Sequence, residues 1–138
     1  MSDRTILQSD GKFALGAGET RDRLMPGQTL VAGTDFDSIF SPDHKHRLTL
    51  QKDGNLVLYV AGKEPVDISD TRGCATQAAI MQADGNFVLL GYRHGGKEAE
   101  ALWASNTQKN PKSYIKLQED GKLVIYKPAA ETAIWFKP

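Results

Sequence analysis

One pattern occurs four times in this chain: Gln-x-Asp-Gly, then Asn or Lys, then an apolar residue. It begins at Gln8, Gln51, Gln82 and Gln118, at intervals of 43, 31 and 36 residues. Repetition at such a spacing implies an architecture built from copies of one supersecondary unit. Each interval suits a small sheet of three or four short strands with its turns. Within each copy, Asp-Gly flanked by alternating apolar residues reads as the tip of a β-hairpin. In the second copy, QKDGNLVLY, a three-residue loop with Gly in the left-handed position sets Gln51 opposite Asn55. The pleat then sorts side chains by parity. Leu48, Leu50, Leu56 and Leu58 share one face, and Gln51, Asn55, Val57 and Tyr59 share the other, with Asp53 at the bend. Ala79, Met81, Phe87 and Leu89 form an equivalent apolar face, as do Ile115, Leu117, Leu123 and Ile125.

A second repeat follows the hairpins. ALWASNT (101–107) and AIWFKP (133–138) each carry a Trp, and PVDISDT (65–71) takes the same place with Asp67 where Trp would stand. A large aromatic once per unit is what a shared packing axis needs, so Trp103 and Trp135 are expected in the core. Helix signals are weak, and GGKEAEALWA reads as loop and strand. The chain is expected to be all-β, with turns at Pro26-Gly27, Asp53-Gly54, Asp84-Gly85 and Asp120-Gly121.

Composition narrows the function. The 138 residues suit one domain with a real core. Lys+Arg and Asp+Glu are both 17, so no surplus positive charge is available to hold a phosphate backbone, and nucleic acid is not an expected partner. No run of 18 apolar residues occurs, so membrane insertion is not expected. The start, MSDRTILQSDGK, lacks an apolar signal stretch. Cytoplasmic synthesis without a signal peptide is the expectation, with release by a non-signal route left open. Cys74 is the only cysteine, which rules out an internal disulfide.

The motif Gln-x-Asp-x-Asn-x-Val-x-Tyr, with Trp-Ala-Ser-Asn-Thr between copies, resembles the monocot bulb lectins, the snowdrop-type mannose-binding lectins. The resemblance covers residues 22–138 as one bulb-type lectin domain, with DRLMPGQTL (Asp22 to Leu30) similar to that family's first hairpin. Residues 1–21 form an N-terminal extension carrying an extra, degenerate hairpin. The resemblance implies a β-prism II fold, three four-stranded antiparallel sheets with pseudo-threefold symmetry, and one mannose pocket per sheet. It implies that Asp53 and Asn55 grip the axial 2-hydroxyl, Gln51 the 3-hydroxyl and Tyr59 the 4-hydroxyl, with Val57 under the ring. It implies a homodimer formed by exchange of the C-terminal strand, here AIWFKP. The family commonly has Cys where Gly54 stands, bonded to a Cys in the next unit, and that bond is missing here.

The other copies depart from the pattern. Gln82, Asp84, Asn86 and Val88 are present, but Leu90 replaces Tyr, and Tyr92 is offset by two residues. Gln118, Asp120, Val124 and Tyr126 are present, but Lys122 replaces Asn and is expected to pair with Asp120. The first copy, Gln8, Asp10, Lys12, Ala14 and Gly16, has lost both Val and Tyr and reads as structural. Catalysis is not expected, because pseudo-symmetry spreads Asp53, Asp84 and Asp120 around the prism, too far apart for paired-carboxylate hydrolysis. His44 and His46 in DHKH lack a third ligand and read as a solvated loop, so no metal or cofactor is expected. Cys74 reads as a packed or idle thiol. The expected function is a multivalent lectin for mannose-rich glycans, with defence, adhesion or toxin targeting as candidate roles. The alternative is a sugar-silent prism used for protein interaction or assembly.

Overall fold

The computed structural model describes residues 21–128 and 131–138, together with the backbone of two strands near the N-terminus. No helix occurs among the described residues. Each hairpin begins as the sequence dictates. In β6 (Arg47–Leu50) and β7 (Leu56–Tyr59), Leu50 faces Leu56 and Leu48 faces Leu58. The same register recurs in β9 (Ala75–Met81) with β10 (Phe87–Tyr92), where Met81 faces Phe87. It recurs again in β12 (Tyr114–Leu117) with β13 (Leu123–Lys127), where Leu117 faces Leu123. The first copy folds alike: β1 (Thr5–Leu7) pairs with β2 (Phe13–Leu15), Leu7 opposite Phe13. Gln8, Asp10, Lys12 and Gly16 of that copy lie outside the described residues, and for Ala14 only the backbone pairing is described.

Each of the three later hairpins gains a third strand from the segment that follows it: β8 (Val66–Asp67), β11 (Glu100–Ala104) and β14 (Thr132–Lys137). The fourth strands come from one stretch. β3 (Arg23–Leu24) joins β12, β4 (Thr29–Leu30) joins β9, and β5 (Ser38–Phe40) joins β6. The result is three antiparallel four-stranded sheets, the β-prism II fold. This corrects the reading of Asp22 to Leu30 as a hairpin. The chain does turn at Pro26-Gly27, with Gly27 at φ 89° and Gln28 N–H donating to the Met25 carbonyl at 2.9 Å. Its two arms then go to different sheets, because each hairpin edge offers unpaired backbone groups that need a partner. The stretch from Arg23 to Phe40 therefore ties all three sheets together.

The inward face of every sheet meets at the centre. Leu24, Leu30, Ile39, Leu48, Leu50, Leu56, Leu58, Met81, Phe87, Leu89, Ile115, Leu117, Leu123 and Ile125 are all fully buried. Fully burying a side chain of this kind contributes about 1.5–3 kcal/mol, so this face dominates the fold's stability. Trp103 and Trp135 pack edge to face with centroids 6.0 Å apart, and Phe87 meets Trp103 in the same way at 6.0 Å. Trp103 lies opposite Leu89 and Trp135 opposite Ile125. By the same register the residue opposite Leu58 is Val66, not Asp67. Val66 therefore holds the third aromatic's place and packs on the core, while Asp67 faces outward opposite Val57. Strand β8 is set one residue differently from its counterparts, and the sequence spacing alone hid that shift.

Candidate functional site

The outward face of each hairpin carries the repeated polar residues, and the loop geometry is the same in all three described copies. In the second copy Gln51 N–H donates to the Asn55 carbonyl at 2.9 Å, and Gly54 N–H to the Gln51 carbonyl at 3.0 Å. Gly54 has φ 93°, the left-handed conformation that a side chain would strain. The Asp at the bend accepts the backbone N–H two residues on, at 3.0 Å, in Asp53, Asp84 and Asp120 alike. This is ordinary Asx-turn chemistry, and it leaves further lone pairs on each carboxylate for a ligand.

Above the bend, the Gln51 pocket forms a ladder. Tyr59 O–H donates to Gln51 Oε1, and Gln51 Nε2 donates to both carboxylate oxygens of Asp53, at 3.3 and 3.2 Å. The amide's orientation is forced, since a carboxylate only accepts. Val57 forms the buried floor, and the Arg47 guanidinium lies 4.6 Å from the centre of the Tyr59 ring. Arg72 stands at the rim, 3.7 Å from Asp53. The same ladder occurs in the Gln118 pocket: Tyr126 O–H donates to Gln118 Oε1, and Gln118 Nε2 to Asp120 at 3.2 and 3.3 Å. The Lys122 backbone N–H holds the Asp120 carboxyl below its ordinary 3.8 against the opposing effect of burial, with lesser help from the Gln118 amide and the Lys122 charge. In the Gln82 pocket Leu90 ends the ladder before it starts. Tyr92 does not substitute, because its hydroxyl accepts a hydrogen bond from Gln77 at 3.3 Å instead.

Asn55 has a structural role that the motif did not reveal. It is only 2% exposed. Its amide oxygen accepts from Thr71 N–H at 3.1 Å and from Ser69 Oγ at 3.3 Å. Ser69 Oγ accepts Leu56 N–H at 3.0 Å, and Thr71 Oγ1 donates to the Gly54 carbonyl at 2.6 Å. The middle residue, Asp70, sits at φ 52°. Asn86 is held identically by Ser105 and Thr107, at 3.2 Å each, around Asn106 at φ 59°. The signal was present in SDT and SNT, the ends of the second repeat. With the oxygen engaged, the amide nitrogen is the part of each Asn left for further contacts.

Lys122 has no such Ser/Thr clamp among the described contacts. Its ammonium lies over the Phe136 ring, 5.5 Å from the centroid, and makes no ion pair with Asp120 among the described contacts. The expected Lys122–Asp120 pairing is thus a backbone hydrogen bond to Asp120 at 3.0 Å, because the long stem finds an aromatic face on the next strand. His46 also departs from expectation. It is buried, accepts the Ala61 N–H at Nδ1 (3.2 Å), and stands 3.0 Å from the Glu119 carbonyl through Nε2. An accepting Nδ1 makes Nε2 the donor, so His46 ties the third hairpin's loop to the second hairpin. No group of three metal-ligating side chains occurs among the described residues.

Cys74 packs against Gly54: a Cβ added there would fall 2.3 Å from the Cys74 carbonyl oxygen. The Cys74 backbone therefore lies against the position where the resemblance places half of a disulfide. Asp53, Asp84 and Asp120 sit on three different sheets and form no carboxylate pair.

No protein-family model matches the chain, and no curated protein does either. Solved structures do. The monomeric monocot mannose-binding lectins from Gastrodia elata are 36% identical, with a TM-score of 0.62, over 83% of this chain and 94% of theirs. The chain belongs to the monocot mannose-binding lectins. A second of these lectins, the mannose-specific agglutinin from snowdrop (Galanthus nivalis) bulbs complexed with methyl-α-D-mannoside, is 33% identical with a TM-score of 0.56, over 76% of this chain and 88% of that one. A third, the Polygonatum cyrtonema lectin complexed with monomannoside, is 29% identical with a TM-score of 0.57, over 78% and 90%.

Proposed function

We propose that this chain is a carbohydrate-binding lectin whose Gln51 pocket holds mannose. The carrying observation is the Tyr59–Gln51–Asp53 ladder over the Val57 floor, with Asn55 joined to Asp53 through its backbone N–H. A neutral hexose presents hydroxyls that both donate and accept. This pocket offers acceptors at Asp53 and at the Tyr59 oxygen, whose proton goes to Gln51, and donors at Asn55 and Gln51. Solved relatives of the same family carry mannosides by name. In the assigned roles, Asp53 and Asn55 take the axial 2-hydroxyl, Gln51 the 3-hydroxyl, Tyr59 the 4-hydroxyl, and Val57 lies under the ring carbons. The Gln82 pocket repeats this with Asp84, Asn86 and Val88 and lacks the phenol.

Four net hydrogen bonds at roughly 1 kcal/mol each, with one apolar contact and the entropic cost of capture, give a dissociation constant on the order of 1 mM. Useful binding therefore needs several pockets on one clustered glycan, where linkage gains about 10²-fold or more. A second copy joined by exchange of β14 would double the pockets. In this structure β14 pairs with β13 of its own chain, so the mass of the protein in solution tests that part. Retention on mannose–agarose, with elution by free mannose, tests the lectin reading. Retention is expected for the wild type and lost or sharply weakened in Asp53→Ala. Equal retention of both would remove the assignment.

A further inference from the structure

The three pockets differ most at three equivalent outward positions. The place held by Asn55 and Asn86 holds Lys122. The residue facing Val57 on one side is Thr49 and the one facing Val88 is Ile80, but the one facing Val124 is Lys116. On the other side the partners are Asp67, Ala104 and Phe136. These three positions carry a formal charge of −1 at the Gln51 pocket, zero at the Gln82 pocket and +2 at the Gln118 pocket. Other charges flank both pockets: Arg47 and Arg72 beside the Gln51 ladder, and Asp22, Arg23 and Glu131 around Tyr114 beside the Gln118 one. Arg23 is held by Asp22 at 2.8 Å, and Glu131 accepts from Tyr114 O–H at 3.1 Å. What differs is placement: two cations, Lys122 and Lys116, stand on the row of Val124 itself, with Asp120 the one carboxylate of that ladder. Phe136 is 57% exposed beside the buried Val124, an apolar face open to a sugar ring. The hydroxyl-binding ladder of Tyr126, Gln118 and Asp120 is intact.

Resting on the lectin reading, we infer that the Gln118 pocket takes an anionic hexose, a sugar bearing a carboxylate or a phosphate, in preference to neutral mannose. The ladder and Phe136 hold the ring, and Lys122 and Lys116 meet the anion. Lys122 is exposed and on a flexible stem, so leaving the Phe136 face for a ligand requires no rearrangement of the fold.

The test is an amide NMR titration of the full chain with D-mannose, D-mannuronic acid, D-mannose 6-phosphate and inorganic phosphate. At least one acidic sugar is expected to shift the Lys122, Val124 and Tyr126 amides at about fivefold lower concentration than mannose, the effect of one exposed charge contact. The advantage should fade in 0.5 M salt, where the Debye length is roughly 4 Å. Lys122→Asn should reverse the order of preference, and Lys116→Thr, at an independent position, should reduce it. The inference is overturned if mannose shifts these amides at equal or lower concentration, or if inorganic phosphate matches the acidic sugars, the mark of an adventitious ion only. Asn55 and Val57 amides report the Gln51 pocket in the same spectra. A failure there counts against the lectin reading, and a failure at Val124 counts against this one.

Discussion

The Gln51 and Gln118 pockets share the same tyrosine–glutamine–aspartate ladder, yet only one has the asparagine. Their comparison separates two duties that the motif merges. The ladder forms without Asn, since Gln118, Asp120 and Tyr126 match their counterparts in donor, acceptor and distance. The Asn belongs as much to the fold as to the site. It anchors Ser69 and Thr71, which close the following segment over the hairpin loop. At the Gly121 loop no such closure occurs among the described residues, and His46 and Val60 from the second hairpin lie against it. The Lys122 side chain instead reaches over the Phe136 ring.

The difference is most exposed by the two loop glycines. A Cβ at Gly54 would meet backbone oxygens of Cys74 and Thr71 at 2.3 and 2.8 Å, whereas at Gly121 it would meet the Val60 Cγ1 at 2.9 Å. Both have positive φ. Gly54→Ala should therefore cost about 3 kcal/mol or more, strain plus overpacking, and Gly121→Ala distinctly less, as read by urea unfolding. Equal costs would show that the two loops are closed alike. Next, Asn55→Ala should destabilise by about 2 kcal/mol by leaving buried donors unmatched, while Lys122→Ala stays within about 0.5 kcal/mol. A neutral Asn55→Ala would return that residue to the binding site alone. Smaller again, Tyr59→Phe should weaken mannose at the Gln51 pocket about fivefold, one hydrogen bond's worth, and Leu90→Tyr should strengthen the Gln82 pocket by a similar factor, both read by the same amide titration.

The smallest effect is on acid stability. Arg23 hydrogen-bonds Asp22 and holds its pKa below 3.8, and the Lys122 N–H does the same for Asp120. A carboxyl lowered in the folded state contributes stability above its unfolded value, and that contribution disappears as pH falls through the lowered one. Unfolding midpoints should thus fall modestly below pH 4, and Arg23→Ala should flatten that fall. An unchanged slope would show that Asp22 adds nothing there.

Much of this was legible from the repeat. The hairpin register, the buried leucine faces and the left-handed glycine follow from parity and Asp-Gly alone, because they are local. What was not legible depends on partners distant in sequence. Asp22 to Leu30 looked like one hairpin because two short strands flank a turn, and only the open edges of the sheets decide where each arm goes. Asp67 was set in the tryptophan's place by counting, and the one-residue shift that puts Val66 there is visible only in the pairing. His46 appeared solvated beside its charged neighbours, but the third hairpin's loop covers it. The ladder residues were found by pattern, whereas Ser69, Thr71, Ser105 and Thr107 act through the hairpin they fasten.

The most direct measurement is a crystal soaked in concentrated methyl-α-mannoside, with the outward face of the Gln51 hairpin clear of neighbouring molecules. A hexose should lie over Val57, its hydroxyls within hydrogen-bond distance of Asp53, Asn55, Gln51 and Tyr59. An empty surface there would contradict the account and leave a three-sided β fold without an assigned ligand.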